Sequence, residues 1–296
     1  MEISNGTKLI DLALYTNNTL IVSDFHIGFE EALNKQGMLV PRFQFPEIIK
    51  RLDSIFLKLK DKKIDRVIVC GDLKHEFGTI SEQEWRHTLQ LLDYFGKRCN
   101  EIILIKGNHD TILGPIARKR NVKVLEHYII EPLDHETRGH SNNNTSILGS
   151  SNNKKINKRE STAKNNRIKS KIINIARKSL KKIIQTGKKN KILCLHGDKI
   201  PNKELLKGVS TIIIGHEHPA VSIKEGPRTE LFKCFLIGKW KDKKIIVLPS
   251  FNLVVEGTDI LKEQVLSPFL KGNLRNFKVI VVGDKLYGFG KLSSLF

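Results

Sequence analysis

Five short apolar runs, each of four or five residues and each closed by polar side chains, constrain this chain more than any other feature. "TLIVSDFH" ends in Asp24 and His26, "RVIVCGD" in Gly71 and Asp72, and "EIILIKGNHD" in Asn108, His109 and Asp110. "KILCLHGD" ends in His196 and Asp198, and "STIIIGHEHP" in His216 and His218. Runs rich in Ile, Val and Leu with little alternation read as strands buried on both faces. Such strands belong in the middle of a layered α/β or α+β fold, where their C-terminal ends gather along one edge, the usual place for a ligand. An exposed turn explains any single ending, because Gly-Asn and His-Asp are ordinary loop material. Five such endings, which hold five of the ten histidines, point instead to a metal site.

The rest of the pattern fills in the layers. Strands are expected at 9–14, 19–23, 66–70, 101–105, 122–126, 191–195, 210–214, 231–238, 244–248, 277–282 and 285–289. Helices are expected at about 28–36, 46–60, 82–96, 111–119, 168–186 and 202–207. Strand and helix alternate in the first half, and strands dominate after 190. Two mixed β-sheets packed together with helices outside bury both patterns, which gives a four-layer αββα sandwich. A chain of 296 residues, 40% hydrophobic, can bury one substantial core, and with no internal repeat the expectation is a single domain over 1–296.

Charge is concentrated in one block. Of the formal +20, the stretch from Glu136 to Lys191 contributes 16 Lys and Arg against two Glu. Its first half, an insertion at about 136–167, is poor in apolar residues and rich in Asn, Ser and Lys, and reads as unstructured. In its second half Ile168, Ile172, Ile175, Leu180 and Ile183 recur at helical spacing, which predicts an amphipathic helix with a basic outer face. The four cysteines are far apart and make no CxxC, so they read as reduced packing thiols. With no apolar stretch of membrane-spanning length and no basic then apolar N-terminus, a cytoplasmic protein with no membrane association is expected.

The strand ends carry donors of intermediate hardness. Asp, His and Asn suit manganese, iron, zinc or nickel better than a calcium cage or a thiolate site. Two divalent ions need about eight positions, and a carboxylate that bridges them saves one. Asp24, His26, Asp72, Asn108, His196, His216 and His218 supply seven donors, with Asp72 as the bridge, so the count fits a dinuclear centre.

The order Asp-x-His, Gly-Asp, Gly-Asn-His-Asp, His, Gly-His-x-His resembles the calcineurin-like metallophosphoesterase superfamily from about Leu20 to His218. "GDLKHEFG", "GHEHPAV" and "LPSFNLVVEGTD" are similar to the small archaeal phosphoesterases related to the Mre11 and SbcD nuclease subunits, and to the bacterial ligase-associated phosphoesterases. The resemblance implies that Asp24, His26 and His218 hold one ion, that Asn108, His196 and His216 hold the other, and that Asp72 bridges. Manganese is the favoured metal. A water shared by the ions, its pKa lowered, would attack phosphorus in line. His109 would stabilise or protonate the leaving oxygen, and Asp110 would orient His109. His75 lies close after the bridge, where it could line the substrate cleft or support the ligands. Glu217, Asp198, Glu256 and Asp259 sit near motif loops without an assigned role.

The resemblance implies hydrolysis of phosphodiester bonds in nucleic acid or nucleotides, with a DNA-repair or RNA-processing setting. The alternatives are a phosphomonoesterase, including a protein phosphatase, and a non-catalytic interaction module of the same fold. The intact donor set argues against the last. About 78 residues follow His218, most of them strand-like, so a stand-alone catalytic domain without a capping domain is expected.

Overall fold

The structure is a computed structural model that describes residues 1–4, 6–132 and 191–295. Two mixed β-sheets pack face to face, with helices flanking them. The first sheet holds, in chain order, β1 (Glu2–Ser4), β2 (Thr7–Ile10), β3 (Ala13–Thr16), β4 (Thr19–Val22), β5 (Arg66–Cys70), β6 (Glu101–Ile105) and β7 (Lys123–Leu125). β1 to β4 form an antiparallel meander, and β4 to β7 run parallel. Asn17 and Asn18, both at positive φ, turn β3 into β4. Two successive left-handed residues match the twist of a tight hairpin, and Asn tolerates that backbone better than most side chains.

The connections after β4, β5 and β6 carry α1 (Phe29–Lys35), α2 (Gln44–Lys58), α3 (Glu82–Gly96) and α4 (Gly114–Lys119). Ile48, Leu52 and Ile55 of α2 and Leu91, Leu92 and Phe95 of α3 make apolar stripes that join the same core as β4, β5 and β6. Ser81 caps α3 through the Glu84 N–H, and the Glu84 carboxylate accepts from the Ser81 N–H, a reciprocal capping box.

The second sheet is built from β8 (His127–Ile130), β9 (Lys191–Leu195), β10 (Val209–Ile214), β11 (Pro219–Glu225), β12 (Arg228–Trp240), β13 (Lys243–Val247) and β14 (Thr258–Asp259), with β15 (Lys278–Val282) and β16 (Leu286–Lys291). Their order is β14-β11-β12-β13-β10-β9-β8; β15 adds to β12, and β16 to β15. Alternation divides this sheet between two cores. Cys194, Ile213, Phe235, Ile246 and Ile280 face the first sheet, while Leu193, Ile212, Ile214, Ile245, Val247 and Val279 pack under Ile260, Phe269, Leu270 and Phe277.

Several expectations are corrected. The strand at 9–14 is two strands, because Asp11 at φ 53 turns the chain between β2 and β3. The stretch 202–207 forms turns instead of a helix; six residues closed by Pro201 and Gly208 are too few to repay helix nucleation. The helix expected from 111 starts at Gly114, and the strands β8 and β11 were not anticipated. The basic insertion at 136–167 and the helix at 168–186 lie outside the described residues. Among the described residues no helix is long and apolar enough to cross a membrane.

Candidate metal centre

All seven anticipated donors lie just beyond the C-terminal ends of β4, β5, β6, β9 and β10, three strands of the first sheet and two of the second. The sheets are stitched together at this edge. Phe251 N donates to Ser23 O at 2.9 Å, and Asn252 N donates to Asp24 O at 2.9 Å, which joins the exit of β13 to the exit of β4. The approach is close enough to dictate residue type. A Cβ on Gly71 would stand 2.0 Å from His196 Nδ1, and one on Gly215 would stand 1.8 Å from Ser23 Oγ. The glycines of "CGD" and "IGHEH" are therefore places where one loop passes through the space another side chain needs.

Beside a group made by His26, His75 and His109, two groups of donor atoms share one carboxylate. In the first, His26 Nε2 is 3.2 Å from His218 Nε2 and 3.7 Å from Asp72 Oδ2, and His218 Nε2 is 3.5 Å from Asp24 Oδ1. In the second, His196 Nε2 is 3.0 Å from His216 Nδ1, 2.9 Å from Asn108 Oδ1 and 3.4 Å from Asp72 Oδ2. Asp24, His26, Asp72 and His218 thus form one cation-sized set, and Asp72, His196 and His216, with the Asn108 amide oxygen beside them, form another.

The donor set fits divalent ions on three observations. First, Asp24 Oδ2 accepts from Ser23 Oγ and from His216 N at 3.0 Å, while Oδ1 is buried with no hydrogen-bond partner. A buried carboxylate oxygen left unpaired is costly unless a cation completes it. Second, imidazole nitrogens converge in pairs, as they do when a cation accepts both lone pairs. Third, His196 Nδ1 lies 3.2 Å from Cys70 O. A carbonyl can only accept, so Nδ1 carries the hydrogen and Nε2 presents its lone pair to the centre.

Electrostatics agree with this reading. Burial, reinforced by the Asp24 and Asp110 carboxylates, pushes Asp72 up to about 9. Burial also opposes ionisation of Asp24, but the His218, His196 and His26 imidazoles together hold it below the usual carboxylate range. Burial and then His196 lower His216 to about 4, and burial with His218 takes His26 well below an ordinary histidine. The His26 and His216 imidazoles are therefore neutral at physiological pH, the form that binds metal.

Backbone conformation marks the same residues. Asp24, His26, Asp72, His216 and His218 all sit at positive φ, between 44° and 66°. Each such residue costs about 1–3 kcal/mol and persists only where its surroundings over-determine it.

His109 stands over this centre, its ring centroid 4.7 Å from that of His26. Its Nδ1 donates to the His75 carbonyl, which leaves Nε2 as the reactive nitrogen. Burial lowers its imidazole, and the hydrogen bond to His75 pulls the other way. The ring of Phe77, 58% exposed, lies against it with centroids 3.8 Å apart. Asp110 takes a different place from the one expected. Its buried carboxylate accepts from the backbone N–H groups of Leu73, Lys74 and Gly107, so it clamps the turn after β5 to the turn after β6. That clamp lets His109 N donate to Asp72 Oδ1 at 2.9 Å. The group that orients the His109 ring is the His75 carbonyl.

His75 does more than line a cleft. Its Nδ1 lies 3.3 Å from His26 Nδ1, behind the face His26 presents to Asp72, and its own imidazole is lowered to about 4 by burial and His109. Glu84 holds it in turn, accepting from His75 N at 3.0 Å and from Glu76 N at 2.7 Å. Sequence reasoning passed over Glu84 and Ser23. The Ser-x-x-Glu spacing at 81–84 gave a signal for Glu84 as a cap, though none for its reach to His75. Glu217 and Asp259 brace loops, Glu217 through Leu266 N and Ser267 N, and Asp259 through Ser222 and Leu261. Asp198 pairs with Lys199 at the mouth of a cavity of about 610 Å³ that opens beside His196.

Buried carboxylates and imidazoles converging at the shared edge of two sheets form a candidate divalent-metal site, and the family match makes it the centre of a metal-dependent phosphoester hydrolase. The chain belongs to the calcineurin-like phosphoesterase family, whose model matches residues 18–231. Among solved structures it is similar to the nuclease MPE of Pseudomonas putida, at 15% identity and a TM-score of 0.53, over 94% of this chain and 92% of that one. Vps29 of Cryptosporidium parvum aligns over 92% of this chain and 97% of its own, at 12% identity and a TM-score of 0.34. No curated protein matches the sequence.

Proposed function

We propose that this protein is a phosphodiesterase that acts on nucleic acid or nucleotides with two divalent ions, manganese first among them. The observation that carries the reading is the pair of donor sets joined through Asp72, with His109 Nε2 beside them as a proton carrier. Asp24, His26 and His218 would hold one ion and Asn108, His196 and His216 the other. When bound, such ions supply a water of lowered pKa and neutralise the non-bridging phosphoryl oxygens.

The chain's own residues do the rest. Ser23 and His216 N occupy one oxygen of Asp24, which aims the other inward. Cys70 O fixes the His196 tautomer. Asp110 locks the two turns that set His109 against Asp72, and the His75 carbonyl fixes the ring, so that Nε2, after taking up a proton from solvent, can pass it to the leaving oxygen. The similarity to a nuclease and the overall basic charge support a nucleic-acid substrate, and with it a DNA-repair or RNA-processing setting.

Purified protein with manganese is expected to hydrolyse bis-p-nitrophenyl phosphate with a higher kcat/KM than p-nitrophenyl phosphate, and then to cleave DNA or RNA. A monoester preference under every metal tested would replace this reading with a phosphatase.

A further inference from the structure

At the end of the second sheet remote from the metal centre, four lysines line one groove of about 830 Å³. Lys244 of β13 stands directly opposite Lys239 of β12, and Lys278 of β15 directly opposite Lys291 of β16. Lys278 is also opposite Ile237, two residues from Lys239, so all four side chains share one face. Like charges placed directly opposite are destabilising, and this sheet contains two such pairs side by side.

Nothing local offsets them. Among the described residues none of the four has an ion-pair partner. The one carboxylate lining the groove, Glu2, accepts from Gly6 N. Burial and Lys278 together lower the ammonium of Lys244. Gly288, opposite Ile280 on the same face, adds no side chain to the groove, and Asn273 and Asn276 add amides at the rim.

The dimensions suit a phosphate backbone. Four adjacent strands at ~4.8 Å spacing spread the lysines over roughly 14 Å, and a duplex carries about four phosphates per strand over that length of its helix axis, at ~3.4 Å of axial rise each. Lys244 pairs in line with Thr211, five residues and roughly 16 Å of strand before His216, so the groove is separate from the metal centre. We propose that this groove binds the phosphate backbone of a nucleic acid, as a second contact that holds a long substrate while the metal centre engages it. The choice of nucleic acid over other polyanions rests on the phosphodiesterase reading of that centre.

The test compares the full metal-loaded chain with two quadruple variants, in which Lys239, Lys244, Lys278 and Lys291 all become Gln or all become Arg. Fluorescence anisotropy with labelled single- and double-stranded 20-mers, in a His109→Asn background that preserves the probe, is run across a salt series. The Gln variant is expected to bind at least about tenfold more weakly at low salt, and to lose up to about 3.6 from the slope of log affinity against log salt on duplex. The Arg variant is expected to keep both. With His109 restored, hydrolysis of bis-p-nitrophenyl phosphate is expected to be unchanged in both variants, so a failure of the metal-centre reading shows up separately as no hydrolysis in any of them. Unfolding temperature in the Gln variant is expected to hold or rise, since repulsion is relieved. Unchanged affinity and slope in the Gln variant would overturn the proposal. Loss of binding to phosphatidylserine vesicles without loss of DNA binding would overturn it in favour of a lipid surface.

Discussion

Asp72 meets more demands than any other side chain at the centre. One oxygen accepts from His109 N, and the other faces His26 and His196. With its carboxyl pushed up to about 9 by burial, Asp24 and Asp110, it needs cations nearby to ionise at neutral pH. Asp72→Asn keeps the shape and removes the shared charge, so metal content by elemental analysis is expected to fall and activity with it. His109→Asn is expected to retain the metals and to slow turnover about 10²–10⁴-fold on diesters whose leaving group is an alkoxide. The loss is expected to be much smaller on p-nitrophenyl esters, whose leaving group needs no proton. Equal metal loss in the two variants would refute this division of roles. The identities of these residues could be read from the sequence, because Asp, Asn and His after apolar runs carry their chemistry in the side chain. Their positive φ values could not, since side-chain type only weakly restricts whether a His or Asp turns left-handed.

At the scale of elements, the central strands were legible because they are buried on both faces, while the turn at Asp11 was hidden inside a continuous apolar stretch. Long-range bracing was not legible at all. Glu84 caps its own helix and reaches back to His75 N and Glu76 N, so Glu84→Ala leaves three half-buried N–H groups without this partner. A loss of about 3 kcal/mol in urea unfolding is expected, together with a lower kcat while the metals stay bound, because the His75 carbonyl that orients His109 is released. Lys233 plays a matching part on the second sheet. Its buried ammonium donates to Val255 O at 2.7 Å and Glu256 O at 2.9 Å, in the loop whose Thr258 N donates to His218 O. Burial lowers Lys233 to about 8 from 10.5. The folded state releases this proton first, so between those values the unfolded state binds more protons and stability rises with pH. Measured from pH 8 to 10.5, wild type is expected to gain up to ~3 kcal/mol relative to Lys233→Met; parallel curves would exclude the assignment.

Across the whole molecule, metal chemistry and excess positive charge occupy opposite ends of the second sheet. Ile130 pairs with Ile192 at the end of the sheet away from the centre, and His127 pairs with Leu195 beside it. The chain between β8 and β9 therefore leaves and returns at the same end as the lysine groove. Residues 138–166 supply none of the seven donors and carry six Lys and Arg against Glu160. Deleting them is expected to leave the unfolding temperature, metal content and small-diester hydrolysis unchanged, because the strands and loops that form the centre are all outside the deletion. Loss of any of these would show that the segment supports the fold. Charges there can still neutralise phosphates and release counterions, so the same deletion is measured for affinity to single- and double-stranded DNA at low and moderate salt. Unchanged affinity and salt slope would make the segment a passive insertion and leave the lysine groove as the basic contact. A reduced slope would place part of the grip in the segment. Combining the deletion with the four Lys→Gln changes then decides whether the two act separately, since independent contacts add in free energy and a shared one does not.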